Sequence, residues 1–134
     1  MTKAINTSGK RKTAIARCTT RKGTGRILIN KVPLEIIQPD LVRFKIMEPL
    51  LFVTDEVRDE IDMNVRIKGG GFMSQADAAR ISIARALVSW TESSALREAF
   101  ISYERQILVG DSRRKEKKKF GGKGARSKYT KSYR

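Results

Sequence analysis

The residues best able to do chemistry in this sequence are cationic, and they are densest at its C-terminal end. Residues 112–134 hold eleven Lys and Arg and one acid, including the runs Arg113–Lys115 and Lys117–Lys119. Closely spaced cations neutralise phosphates and release the counterions bound to them. The segment predicts contact with a nucleic acid, and the alternative is a solvated or localisation-type basic tail.

Aromatic rings and glycines interrupt the cations of this segment. Phe120, Tyr129 and Tyr133 are its only large apolar side chains. They could stack on unpaired bases, at ~1–3 kcal/mol per base. They bury too little surface to offset the entropy of ordering the chain, so we expect the segment to be disordered alone and to order on RNA. Length and interleaved rings favour RNA over a solvated tail.

A second basic cluster lies near the N-terminus. Residues 1–34 hold nine basic side chains and no acid, and the cluster consists of Lys10–Lys12 with Arg17, Arg21, Lys22 and Arg26. Arg17 falls in a predicted strand, which would hold it on a defined face. We predict RNA contact here, against an alternative of scattered surface charge. Gly69–Gly71 is a weaker candidate: backbone N–H groups opening a helix attract phosphate, but a turn with unusual backbone angles explains the glycines equally well.

Enzyme chemistry has little support in this sequence. There is no histidine, and Cys18 is the only cysteine, so the commonest general base and a cysteine-built zinc site are both missing. The acidic residues between Asp55 and Asp62 could form a Mg²⁺ site of a nuclease. A solvated acidic face is the favoured interpretation, and we predict no catalytic residue, no metal and no cofactor.

The net charge of +15 calls for a polyanionic partner. A membrane surface is disfavoured, because no stretch approaches the ~20 apolar residues of a bilayer span and the N-terminus lacks the apolar core of a signal peptide. We expect a cytosolic protein with no small-molecule substrate. An architectural protein on DNA remains an alternative to an RNA-binding protein.

Hydrophobic periodicity predicts the elements that must position these cations. Lys12–Thr20 and Arg26–Asn30 are predicted strands joined as a hairpin. Ile61–Lys68 alternates apolar and polar residues without error, which is typical of a half-buried strand. Asp40 is a predicted cap for a helix over Leu41–Glu48.

Two more helices complete the prediction. Ser74 and Asp77 form a capping-box pattern before a helix whose core stripe runs from Ala79 to Trp90. A last helix, about Ser94–Glu104, would bury Leu96, Ala99, Phe100 and Tyr103. The pattern predicts an α+β fold, with helices packed on one face of a sheet in residues 1–111 and an extended basic tail in residues 112–134.

Four motifs in order resemble one family. They are Ser8–Arg17, Gly69–Phe72, Gln75–Leu87 and the ending from Lys119 to Arg134. Together they resemble the universal S-nine family of small-subunit ribosomal proteins, in its archaeal form. The resemblance implies a mixed sheet with a left-handed β-α-β crossover, as in the second domain of the fifth small-subunit protein.

The resemblance also implies the partners. They are small-subunit rRNA of the subunit head, neighbouring ribosomal proteins there, and tRNA in the peptidyl site. Its implied tRNA contact is the final Arg134, with Lys131 nearby; stacking by Tyr133 is our own inference. The predicted rRNA-binding residues are Lys10, Arg11, Lys12, Arg17, Gly69, Gly70, Gly71, Arg113, Arg114, Lys115, Lys117, Lys118, Lys119, Lys123, Arg126 and Lys128.

Overall fold

A five-stranded sheet carries the helices on one face. The computed structural model describes residues 3–132. Its strands are β1 (Ala4–Arg11), β2 (Ala14–Lys22), β3 (Ile27–Ile29), β4 (Val32–Pro33) and β5 (Ile61–Lys68). Its helices are α1 (Asp40–Met47), α2 (Asp55–Glu60), α3 (Phe72–Thr91), α4 (Ser94–Tyr103) and α5 (Gln106–Val109), with 3₁₀ turns at Leu34–Ile36 and Glu48–Phe52. None of the described helices has the length and apolar character that crossing a bilayer requires.

The strand order is β1-β2-β5-β3-β4, and the sheet is mixed. β2 pairs antiparallel with both β1 and β5, whereas β3 pairs parallel with β5. The chain leaves β3 through β4, α1 and α2 before it returns to β5. The predicted α+β class and the predicted strand at Ile61–Lys68 are confirmed.

Small side chains on β2 allow α3 to pack closely on the sheet. Ala14, Ala16 and Cys18 are at most 1% exposed, and they face the buried residues of α3 across the core. Burial raises the pKa of the Cys18 thiol to about 11, with hydrogen bonds from Thr20 and Thr7 opposing the rise. Cys18 is therefore a core residue with an unreactive thiol.

The predicted hairpin is wrong. Strand β2 pairs with β1, a strand that the periodicity did not reveal. Their pairing runs from Ala4 opposite Arg21 to Arg11 opposite Ala14. Apart from the half-buried Ile5, the core face of β1 offers Thr7 and Gly9 in place of large apolar side chains, so β1 has only a weak hydrophobic signal. The predicted second strand of the hairpin lies beside β5 instead.

Three local predictions are corrected at the helices. Pro39, not Asp40, occupies the N-cap position of α1, without a side-chain hydrogen bond. Helix α3 begins two residues before Ser74, with Gly71 at its N-cap position. Asp77 does not complete a capping box, because its carboxylate pairs with Lys45 at 2.7 Å. Tyr103 is 57% exposed, whereas Phe100 is buried as predicted.

Candidate RNA-binding surface

Three predicted segments that are far apart in the sequence meet at one corner of the domain. They are the β1–β2 turn at 10–13, the glycine loop at 69–71 and the root of the basic tail at 111–115. We call these residues the basic corner. The sheet brings the first two together, since β1 and β5 both flank β2.

The glycine loop packs on the β1–β2 turn too closely for any side chain. A Cβ on Gly69 would lie 2.7 Å from the Thr13 carbonyl oxygen, and one on Gly70 would lie 2.9 Å from Ala14. Both glycines have positive φ, at +75° and +71°. Packing and backbone conformation thus account for these two glycines. A Cβ on Gly71 would meet nothing within 4 Å, so the start of α3 is open beside the turn.

Asp111 ties the tail root to the same turn. Its carboxylate lies 3.5 Å from Arg11 Nη2 and 2.9 Å from Arg113 Nη2. The Arg113 side chain and then its backbone N–H donate to this carboxylate and lower the pKa of Asp111 to about 2. Arg11 donates to the Arg113 carbonyl at 2.9 Å, and Arg114 donates to the Lys12 carbonyl at 2.9 Å. The tail therefore leaves the domain in a fixed direction.

Arg85 of α3 braces the corner from within the domain. Its Nε donates to the Leu108 carbonyl and its Nη1 donates to the Ser8 carbonyl, both at 2.7 Å. Its Nη2 reaches the Val109 carbonyl at 3.3 Å. One guanidinium thus joins β1 to the segment that leads into the tail, a role that the sequence did not predict.

The predicted cations differ in how much of their charge is available. Arg11 is directed at Asp111, and its side chain is 20% exposed. Arg113 also pairs with Asp111, and Arg126 pairs with Glu116 at 3.0 Å. The other predicted cations of residues 3–132 are exposed and have no ion pair there: Lys10, Lys12, Arg17, Arg114, Lys115, Lys117, Lys118, Lys119, Lys123, Lys128 and Lys131. Most of the predicted set is thus free to meet phosphate.

Residues 112–132 contain turns but no helix or strand. Phe120 is 96% exposed and Tyr129 is 59% exposed. The Tyr129 N–H donates to the Gly121 carbonyl at 3.2 Å, which folds the middle of the segment on itself. Tyr133 and Arg134 lie outside the described residues.

Arg17 does not belong to the basic corner. It lies on the sheet face opposite the helices, directly across from Arg66. Lys68 and Arg21 share this face. Arg21 belongs to the predicted N-terminal basic cluster, whereas Lys68 was not predicted as a binding residue. The alternation of β5 already placed Arg66 and Lys68 on a wet face, but only the pairing of β2 with β5 brings them beside Arg17.

The acidic residues between Asp55 and Asp62 point to different partners. Asp55 pairs with Arg58 at 3.2 Å, and Glu60 lies 3.6 Å from Lys22. Asp62 accepts the Arg26 and Thr24 N–H groups, and these hydrogen bonds lower its pKa. Within residues 3–132 no group of three or more acids, Cys or His is placed to hold a metal ion.

Known proteins that resemble this chain come from one family. Residues 9–134 match the family described as ribosomal protein S9/S16. Small ribosomal subunit protein uS9 of Methanothrix thermoacetophila is 56% identical over 132 residues, covering 98% of this chain and 99% of the relative. The protein of the same name from Halobacterium salinarum is 47% identical over 129 residues, covering 96% and 98%. The chain therefore belongs to the ribosomal protein S9/S16 family.

Proposed function

We propose that this protein is a structural constituent of the small ribosomal subunit in the cytoplasm, and that it binds rRNA. The relatives are named as proteins of that subunit. The observation that carries the proposal is the basic corner, where two cationic ends separated by about 100 residues meet. We also propose a fold of the kind in the second domain of the fifth small-subunit protein, which the mixed sheet with one open face supports.

Binding proceeds by neutralising phosphates, with little reading of bases. The β1–β2 turn presents Lys10 and Lys12, and the open start of α3 at Gly71 adds backbone N–H groups. The tail continues the same cationic surface through Lys115 and Lys117–Lys119. Contacts of this type position a protein on folded RNA without specifying sequence.

The end of the tail supports tRNA in the peptidyl site. Residues 131–134 carry Lys131, Tyr133 and Arg134, and Lys131 is exposed. The family ending and the fixed direction of the tail root support this part of the proposal. Deleting residues 131–134 should leave assembly of the subunit intact and weaken retention of tRNA in the peptidyl site. Normal retention by the shortened protein would contradict the tRNA role.

Neighbouring ribosomal proteins are the proposed partners of the helical side. Residues 35–62 carry eight acids and three basic residues. Four apolar side chains in this segment are 61–75% exposed: Ile36, Leu41, Phe44 and Leu51. Acidic and apolar surface is poorly suited to RNA and suits a basic protein neighbour.

Sedimentation tests the central proposal. Tagged protein expressed in an archaeal host should sediment with small subunits and not with free protein. The same protein with Lys117, Lys118 and Lys119 changed to Ala should sediment with them more weakly as salt rises. Wild-type protein that stays at the top of the gradient at cellular ionic strength would contradict the proposal.

A further inference from the structure

The sheet face opposite the helices is open and strongly basic. β1, β2 and β5 each place every second residue on it. Most of these residues line a shallow groove of about 1080 Å³. Five cations, at Lys10, Arg17, Arg21, Arg66 and Lys68, lie on this face.

Arg17 and Arg66 are paired in a way that costs stability. They lie directly opposite each other on neighbouring antiparallel strands, and like charges in that position are destabilising. Lys68 lies two residues from Arg66 on the same face. Within residues 3–132 none of the five cations has an ion pair, and Asp62, the acid of this face, is occupied by backbone N–H groups. An anionic ligand would remove the repulsion that the fold leaves in place.

The neutral residues of the face indicate which anion fits. A row of Asn6, Thr19 and Asn64 crosses the three strands next to the arginine pair, and Thr19 donates to Asn6 Oδ1 at 2.8 Å. Amide and hydroxyl groups suit the ribose 2′-hydroxyl as well as phosphate. No aromatic side chain lines the described groove, so stacking on splayed bases has no platform there.

We propose that this open sheet face is a second RNA-binding surface, which takes the sugar–phosphate backbone of a folded rRNA segment independently of the basic corner and the tail. The inference rests on the proposed rRNA binding. Arg17 and Arg66 contact phosphate at its centre, and Lys68 extends the contact toward the β1–β2 turn. The amide row beside them contacts ribose.

The test compares full-length variants in their binding to a transcript of the small-subunit rRNA as salt is varied. Changing Arg17 and Arg66 together to Ala should reduce the slope of log affinity against log salt by about 1.5, since each phosphate contact contributes about 0.7–0.9. The control changes Arg97 and Arg105, exposed on the helical side, to Ala. It alters net charge equally and should leave the slope near that of the wild type.

Two further variants separate binding from folding and from the tail. Changing Arg17 and Arg66 to Lys retains the charge and should retain the slope. The variant with Ala at both positions should have a melting temperature no lower than that of the wild type, because the repulsion is gone. Changing Lys117–Lys119 to Ala is the comparison for the tail. If the Arg17/Arg66→Ala variant had the same slope as the Arg97/Arg105→Ala control while the Lys117–Lys119→Ala variant had a reduced slope, this inference alone would be overturned. Wild-type protein that ignores the transcript would overturn the proposed function as well.

Discussion

Arg80 is the residue whose environment departs most from its type. It is 7% exposed, and its Nη1 lies 2.6 Å from Glu48 and 2.9 Å from Glu104. Burial disfavours ionised Glu48, but hydrogen bonds from Tyr103 and Arg80 outweigh it and lower the pKa of Glu48. The network ties α3 to the 3₁₀ turn at Glu48–Phe52 and to the end of α4. It is a structural ion-pair network behind the proposed RNA-binding surface.

Changing Arg80 to Met should lower the free energy of unfolding by about 2 kcal/mol at pH 7. Removing one partner of a buried pair costs about 3–5 kcal/mol, and here the exposed sides of the carboxylates can regain water. Because the pKa of Glu48 is lowered on folding, its contribution is complete above its ordinary pKa and is lost as pH falls through the folded value.

Urea unfolding at pH 7 and at pH 3 measures this effect. The difference between the wild type and the Arg80→Met variant should shrink at pH 3. Changing Arg97 to Met is the control, since Arg97 is exposed on α4, and it should alter stability by less than about 0.5 kcal/mol. An equal difference between wild type and variant at both pH values would contradict the assigned role of Glu48.

The sequence predicted which single residues are exposed cations, but not which residues they contact. Lys10, Lys12 and the tail lysines are exposed cations, as their sequence context indicated. Arg11 has the same context and nevertheless faces Asp111, because an ion pair across about 100 residues depends on where the tail root lies. The bracing role of Arg85 was hidden for the same reason.

At the scale of elements, the close approach of β1 to α3 explains a strand without a hydrophobic pattern. A Cβ on Gly9 would lie 2.2 Å from the Ala78 carbonyl oxygen and 2.8 Å from the Ser82 backbone nitrogen. Thr7 occupies the neighbouring core position of β1, and its hydroxyl donates to the Ser82 carbonyl at 2.8 Å. Backbone contact replaces side-chain burial here. The clear alternation of β5 made that strand predictable. Strand β1 has no such pattern and is recognised only from its pairing with β2 in the structure.

Changing Gly9 to Ala should therefore lower the free energy of unfolding by about 3 kcal/mol, because the methyl group forces β1 and α3 apart. Chemical denaturation measures it. Changing the neighbouring Ser8 to Ala adds no atom toward α3, since Ser8 is exposed on the open sheet face, and it should change stability little. A Gly9→Ala variant as stable as the wild type would show that β1 lies farther from α3.

The tail root is the second element whose geometry can be tested. The folded pKa of Asp111 is about 2, below the ordinary 3.8, so its contribution is complete above pH 4 and is lost only as pH falls through about 2. The Arg113 amide proton, which Asp111 accepts at 2.9 Å, should report this in an NMR pH titration. Its midpoint should be near 2, and Asp111→Asn should abolish the step. A midpoint near 4 would mean that the tail root is not held by Asp111.

At the scale of the whole molecule, charge is segregated by side. The basic corner and the open sheet face each hold a cluster of cations, while the net-negative segment at 35–62 supplies α1, α2 and the 3₁₀ turn at Glu48–Phe52. The sequence profile showed two basic ends and an acidic middle. It could not show that the ends meet, because that depends on strand pairing and on the path of α4 and α5 back to β1.

The proposed contact of the tail with rRNA is tested most directly by the salt dependence of binding to small-subunit rRNA, compared between the full chain and a chain ending at Lys115. The shortened chain keeps the anchored root and loses eight cations and one acid. If at least half of those cations meet phosphate, the slope of log affinity against log salt should fall in magnitude by about 3 or more. An unchanged slope would contradict the claim that the tail holds rRNA by its charge.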